Sequence, residues 1–448
     1  MQINNSADKN IRSAIVILGA SGDLAQRKLI PALAELFKKG NINSSSVIIG
    51  SGRSDFSCEN FRKRFNVTDQ LAKLLYYYKG ISGLKKYISD LGSFQKIIFF
   101  MALPPAVYAK YAKQLAQEGF GQETSLIIEK PFGYDFKSSQ KLNSEITAHF
   151  NESQIFRIDH YLAKEAVQNI LVFRFANSLF YPVWNSRYIE SIQINAFEKI
   201  GVENRGAYFD QAGIIRDMVQ NHLTQLLCLL TMEAPVSLNA EDIRIQKINV
   251  LKTLRITDCC RFQYNGYRTE KSVQNDSRTE TYAEIRLFIE NFRWIGTPVY
   301  IRSGKALSRQ GTEIGIVFKS IPRLLFNKHG NISRNKIIFK IQPTAGIIVD
   351  ISSKVPGGEL EITNTNMAFC YHNSFNSEIP EAYQRLLYDA LKGDKTLFVS
   401  ADETEIAWKK FEPILDKGEP EFYDKGSVPK LCLSGNWIDF EKYKSICE

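Results

Sequence analysis

The chain has 448 residues, 44% hydrophobic and 23% charged, with a formal net charge of +9. That length needs more than one core, and that composition is ordinary for a folded globular protein. It contains no apolar run of about 18 residues, which excludes a hydrophobic membrane-spanning helix. The opening residues MQINNSADKNIRS are polar and lack a leader's apolar stretch, so a short disordered lead-in is expected. Lys and Arg are scattered rather than blocked, with no zinc-finger or basic-helix pattern. The basic balance therefore points away from nucleic acid, towards phosphorylated small molecules or plain background basicity. The cysteines at 58, 228, 259, 260, 370, 432 and 447 form no C-x-x-C pair, and five histidines leave little for a metal cluster. Reduced thiols in a cytoplasmic protein, and no metal, are expected.

In chain order, residues 13–18 (SAIVIL) form a short buried strand before a glycine turn. Residues 23–39 follow with Leu29, Leu33, Leu36 and Phe37 at helical spacing, and Gly40 stops them. Pro31 lies inside this helix and should bend it. Residues 47–50, 96–103 and 125–129 are further buried strands, with a helix over 105–117. Strands alternating with helices predict a parallel, doubly wound, Rossmann-like α/β domain over residues 1–158. Beyond it, strand-like runs at 188–197, 283–289, 315–318, 336–341 and 346–351 follow one another, with helices at 163–173, 213–231 and 381–391. That pattern predicts an α+β domain over residues 159–448, built on a large, mainly antiparallel sheet.

The turn Gly19-Ala20-Ser21-Gly22-Asp23-Leu24 joins the first strand to the first helix. Glycine there lets the backbone approach a pyrophosphate, and the helix start offers unbonded N–H groups. A tight turn without a ligand is the plainer alternative. The end of the second strand chooses the cofactor. An acid there would bind the ribose 2′-hydroxyl of NAD, but Gly50-Ser51-Gly52-Arg53-Ser54 has none until Asp55. A guanidinium at Arg53 suits a 2′-phosphate, so NADP is expected over NAD, unless Arg53 is simply solvated.

Five segments resemble successive signatures of the glucose-6-phosphate dehydrogenase family, in that family's order and spacing. They are GASGDLAQRKL at 19–29, EKPFG at 129–133, RIDHYLAKE at 157–165, RGAYFDQAGIIRDMVQNH at 205–222 and RSGKAL at 302–307. Weaker matches continue to AWKKFEPIL at 407–415, so the resemblance spans nearly the whole chain. The RIDHYLAKE segment is the most specific of them. Read directly, His160 and Lys164 stand one helical turn apart and can face one point. With Tyr161 and a helix start they make a phosphate socket, the alternative being a capped helix with a surface salt bridge. His222 is a candidate base, since a neutral imidazole can take a hydroxyl proton near pH 7. Asp217, Gln220 and Asn221 make its surroundings too polar for a plain core face. Asp217 and His222 are five apart, so an ideal α-helix turns them about 140° from each other. Both reach one sugar only from opposite helix edges, or if the helix is distorted.

The resemblance implies oxidation of D-glucose 6-phosphate at C1, with hydride transfer to NADP, as the first oxidative step of the pentose phosphate pathway. It assigns His160, Tyr161, Lys164 and Lys305 to the sugar phosphate, and Glu198 and Asp217 to sugar hydroxyls. It pairs Asp159 with His222, puts Lys130 between sugar and nicotinamide, and puts Gln342 beside the sugar. It also implies a homodimer built on the large sheet, and no second, structural NADP, because the chain ends soon after Trp437. Ala163 and Ser303 are small departures from the family's usual residues. Gln310 stands where the family has a second cation, with Arg309 one position earlier. A related sugar dehydrogenase, or a protein that binds NADP and sugar phosphate without turnover, are the alternatives.

Overall fold

The computed structural model describes residues 11–322, 325–326, 332–375, 380–415 and 418–447; most of the polar lead-in thus lies outside the described residues. In chain order the strands are β1 (Ser13–Leu18), β2 (Val47–Gly52), β3 (Leu75–Lys79), β4 (Lys96–Met101), β5 (Thr124–Ile128), β6 (Ile155–Ile158), β7 (Ile189–Phe197) and β8 (Leu254–Tyr264). They continue as β9 (Tyr282–Ile289), β10 (Pro298–Gly304), β11 (Gly311–Phe318), β12 (Lys336–Gln342), β13 (Gly346–Lys354), β14 (Ile362–Cys370), β15 (Phe398–Val399) and β16 (Glu421–Tyr423).

The first unit comprises Met1–Ala163, Pro235–Ile245 and Pro380–Glu405. Its sheet runs β15-β6-β5-β4-β1-β2-β3, parallel throughout except for β15. Every residue of β1 and β5 is buried, as befits central strands covered on both faces. The expected break at 158 is thus corrected: the unit runs to Ala163 and takes back two later segments. The cause is the edge of the sheet. β15 pairs antiparallel with β6, and Phe398 packs edge-on against Phe156 at 4.9 Å. Ahead of it, helix Ala382–Lys392 packs on helix Ile30–Lys38, with Lys28 bonded to Glu381 at 3.0 Å. The bend expected from Pro31 takes the form of a π-helical turn, Ala25–Leu29, just before it. Proline has no N–H to give the usual helical bond, and the ladder shifts to a wider turn upstream.

The second unit comprises Lys164–Ala234, Gln246–Ile379 and Ile406–Glu448. Its sheet runs β14-β13-β12-β11-β7-β10-β9-β8-β16. All neighbours are antiparallel except β7 with β10 and β8 with β16. The last residues of the chain lie back on this sheet. Gln193 of β7 donates to the Asn436 carbonyl at 2.7 Å and accepts from the Ile438 amide at 2.9 Å. Ile438, Phe440 and Tyr443 then share a core with Val317, Ile338 and Ile348. Here the expectation of reduced thiols is corrected. Cys260 pairs with Cys432 and Cys370 with Cys447, both tying sheet strands to this terminal segment. The partners are 172 and 77 residues apart, and such distant pairs leave no local motif in a sequence. Among the described residues no helix is long and apolar enough to cross a membrane.

Phe398 is fully buried on a strand of only two residues that seals the first sheet's edge. Phe398→Ala should destabilise the first unit by about 3–5 kcal/mol, read from the urea midpoint of its unfolding transition.

Candidate active-site residues

In the first unit, the carboxyl ends of the parallel strands open into a cavity of about 470 Å³, within the range of a small-ligand site. Gly19, Ser21, Gly22 and Arg53 line it, as the sequence leads one to expect. Gly19 has φ +86, and a Cβ there would collide with the Ala102 carbonyl oxygen. Its amide and that of Ala20 both bond to the Ser51 carbonyl, at 2.8 and 3.1 Å, tying the turn to the end of β2. The cradle therefore fits a dinucleotide: bare backbone, a helix start and a cation on one rim. Asp55 points elsewhere, paired with Lys79 at 2.9 Å. Asp23 is exposed and paired with Arg27, and neither it nor Leu24 lines the cavity. Their place is the first helical turn behind the glycines. The sequence alone did not point to residues 80–82, nor to Lys110, Tyr111 and Gln114, which also line the cavity. They follow β3 and lie on helix Tyr108–Gln117; β3 itself carried no clear strand signal.

Lys130 follows β5 and precedes Pro131 through a cis peptide. Asp159 follows β6, is 3% exposed, and accepts the Tyr161 amide at 2.9 Å. The Leu162 amide returns to the Asp159 carbonyl at 3.1 Å. Residues 160–163 are therefore a turn rather than the first turn of a helix, which corrects the expected helical spacing of His160 and Lys164. The helix begins at Glu165, and Lys164 is its N-cap with extended backbone, φ −73 and ψ 132. His160 and Tyr161 form an edge-on ring pair at 5.2 Å.

In the second unit, β7 and β10 run parallel with Phe197 opposite Gly304. Glu198 and Lys305, the next residue on each, thus emerge side by side and pair at 2.6 Å. Lys305 is buried, and its ammonium also lies 5.4 Å from the Phe209 ring centroid. Lys164 donates to Gln342, at the end of β12 and before the cis bond to Pro343. Arg309 is held between Glu313 at 3.6 Å and Glu441 at 3.5 Å, while Gln310 is exposed.

Asp217 and His222 are both buried on Ile215–Leu223, which is a π-helix. Its bonds join residues five apart, so Asp217 and His222 stand over one another rather than about 140° apart. Of the two alternatives left open by the sequence, the distorted helix is the one realised. Gly213, at φ +65, kinks the chain just before it, where a side chain would strike Glu280. Glu280, held by Arg261 at 2.6 Å, accepts the Ile215 amide at 3.2 Å and so caps the helix start. Asn221 and Thr224 bond to the carbonyls of Arg216 and Val219 at 2.9 and 2.6 Å, satisfying groups that the wide turn strains. Tyr208 donates to Asp217 at 3.3 Å, and Arg205 lies 3.8 Å from it. Burial, then the Asp217 charge, pushes the Tyr208 phenol well up, so it stays a donor.

Residues 16–169 match the family domain described as "Glucose-6-phosphate dehydrogenase, NAD binding domain", and residues 171–431 match that family's C-terminal domain. The chain is 41% identical to "Glucose-6-phosphate 1-dehydrogenase 6, cytoplasmic" of Arabidopsis thaliana, over 91% of this chain and 86% of the relative. It is 38% identical to the glucose-6-phosphate 1-dehydrogenase of Chlamydia muridarum, over 90% of each. A solved glucose-6-phosphate dehydrogenase in complex with glucose-6-phosphate superposes with a TM-score of 0.89 at 35% identity, over 94% of this chain and 96% of that one.

Because Gly19 has neither room for a Cβ nor a φ that suits one, Gly19→Ala should weaken dinucleotide binding by about tenfold or more, measured by titration calorimetry.

Proposed function

Since the chain belongs to the glucose-6-phosphate dehydrogenase family, we propose that it oxidises D-glucose 6-phosphate at C1, yielding 6-phosphogluconolactone and reduced NADP. The observation that carries this reading is the polar set on the second unit. A buried imidazole and a carboxylate share one side of a π-helix, and a buried ammonium and a second carboxylate leave adjacent strand ends. A phosphorylated polyol offers matching groups, and carboxylates that accept its hydroxyl protons reject sugars lacking them.

In this reading His222 takes the C1 hydroxyl proton as the C1–H bond breaks. Asp159 is the carboxylate that steadies the resulting imidazolium, as the family resemblance implies. Glu198 and Asp217 hold sugar hydroxyls. His160, Tyr161, Lys164 and Lys305 take the phosphate, while Lys130 and Gln342 stand beside the sugar. When bound, the cofactor supplies a nicotinamide C4 that receives the hydride. Arg53 on the cavity rim, with Asp55 committed to Lys79, favours NADP over NAD. A homodimer joined through the large sheet completes the proposal, and its cytoplasmic place is supported by the cytoplasmic relative rather than by thiol state, since four cysteines pair.

The test is absorbance at the reduced-nicotinamide band with glucose 6-phosphate and NADP. Glucose should give little signal, and no reduction with any pair, from folded protein that binds NADP, would leave a binding protein without turnover. His222→Asn should lower kcat by about 10²- to 10⁴-fold, the usual contribution of a general base. Arg53→Ala should raise KM for NADP by roughly tenfold and leave KM for NAD near its starting value, because one charged hydrogen-bonded contact to the 2′-phosphate is lost.

A further inference from the structure

The dinucleotide cavity of the first unit has no carboxylate among its lining residues, and its charged lining residues are Arg53 and Lys110. They come from two different walls. Arg53 follows β2 directly, and Lys110 lies on helix Tyr108–Gln117, which follows β4. β2 and β4 flank β1, so the two cations stand on either side of the glycine turn that ends β1. The helix is fixed by Tyr108, Ala112 and Leu115, all fully buried in the core of the first unit. Their spacing of four and three residues turns the neighbouring strip outwards, and Lys110, Tyr111 and Gln114 on that strip line the cavity. Lys113 is exposed on the same helix and does not line it.

Both cations are uncommitted. Among the described residues Arg53 and Lys110 make no ion pair and no side-chain hydrogen bond. The acids on the surrounding elements are turned to other partners: Asp23 to Arg27 at 2.7 Å, Asp55 to Lys79 at 2.9 Å, and Glu118 to the Gly83 amide at 2.9 Å. A phosphate monoester carries a charge of about −1.5 to −2 near pH 7, so one guanidinium leaves roughly half of it unbalanced. We propose that Lys110 is a second cation for the 2′-phosphate of NADP and, with Arg53, determines the choice of NADP over NAD. The proposal rests on the reading of this cavity, with Arg53, as the NADP site. Arg53 brings a planar fork from the end of β2, and Lys110 brings a point charge on a long stem from the helix after β4.

The experiment is titration calorimetry of the full chain with adenosine 2′,5′-bisphosphate and with adenosine 5′-monophosphate, which differ in the 2′-phosphate alone. Lys110→Gln should weaken the bisphosphate by about three- to tenfold, the range of one exposed charge-assisted contact. It should leave the monophosphate within about twofold, as expected of a surface exchange that removes no contact. Lys110→Arg, which keeps the charge, should hold the bisphosphate near wild type. Lys113→Gln removes the same charge from the same helix outside the cavity, and should also leave it near wild type. The bisphosphate's advantage over the monophosphate should become less sensitive to K110Q as pH falls from about 7.5 to about 5.5, because the 2′-phosphate gains a proton with a pKa of about 6. An unchanged bisphosphate affinity in K110Q, an equal loss of both ligands, or an equal loss in K113Q overturns the proposal. If wild type shows no advantage for the bisphosphate, or Arg53→Ala leaves that advantage intact, the reading of the cavity and of Arg53 fails instead. If R53A loses the advantage and K110Q keeps it, only the role of Lys110 fails.

Discussion

A buried ammonium needs a counter-charge, and in the second unit that requirement is met by strand direction. Lys305 is 4% exposed and meets Glu198 at 2.6 Å. The two are 107 residues apart and become neighbours only because β7 and β10 run parallel in a sheet that is otherwise almost wholly antiparallel. Backbone bonds then fix the pair. The Glu198 amide bonds to the Gly304 carbonyl at 2.9 Å, and the Leu307 amide to the Glu198 carbonyl at 3.0 Å. An antiparallel pairing at this point would have put the two strand ends on opposite edges, with a lysine buried alone on one of them.

The π-helix obeys a similar constraint by another route. Asp217 and His222 serve one ligand only if five residues make about one turn. A wide turn is intrinsically unfavourable and must be held from outside. Gly213 admits the kink, Glu280 caps the first amides, and Arg261 holds Glu280 from β8. The spacing of Asp217 and His222 is therefore a property of the surrounding sheet as much as of the helical sequence. In the first unit the equivalent device is the contact of Gly19 with Ala102 and Ser51, which ties three strand ends around one cavity.

The departures between sequence and structure share a cause. β1, β2, β4 and β5 are apolar runs in the sheet interior, and each is visible without neighbours. β3, reading LYYYK, and β14, reading ITNTNMAFC, are edge strands with mixed or exposed faces, and neither shows a strand's usual pattern. β10 is central but carries Arg302 and Ser303, whose burial is made possible by Asn195 at 3.0 Å and the Ala196 carbonyl at 2.9 Å on β7. No local window contains those partners.

By itself the sequence determined the alternation of strands and helices in the first unit, the glycine cradle with Arg53 at its rim, and the motifs that mark the family. Those features are carried by residues close together in the chain, where periodicity, backbone freedom and residue chemistry act. Only the tertiary structure decided that residues 160–163 turn before the helix begins, that Arg309 is spent on Glu313 and Glu441, that four cysteines pair, and that β15 completes the first sheet. Each of these depends on a partner tens to hundreds of residues away, and the energy of burial and pairing that fixes it exists only once the chain has closed that distance.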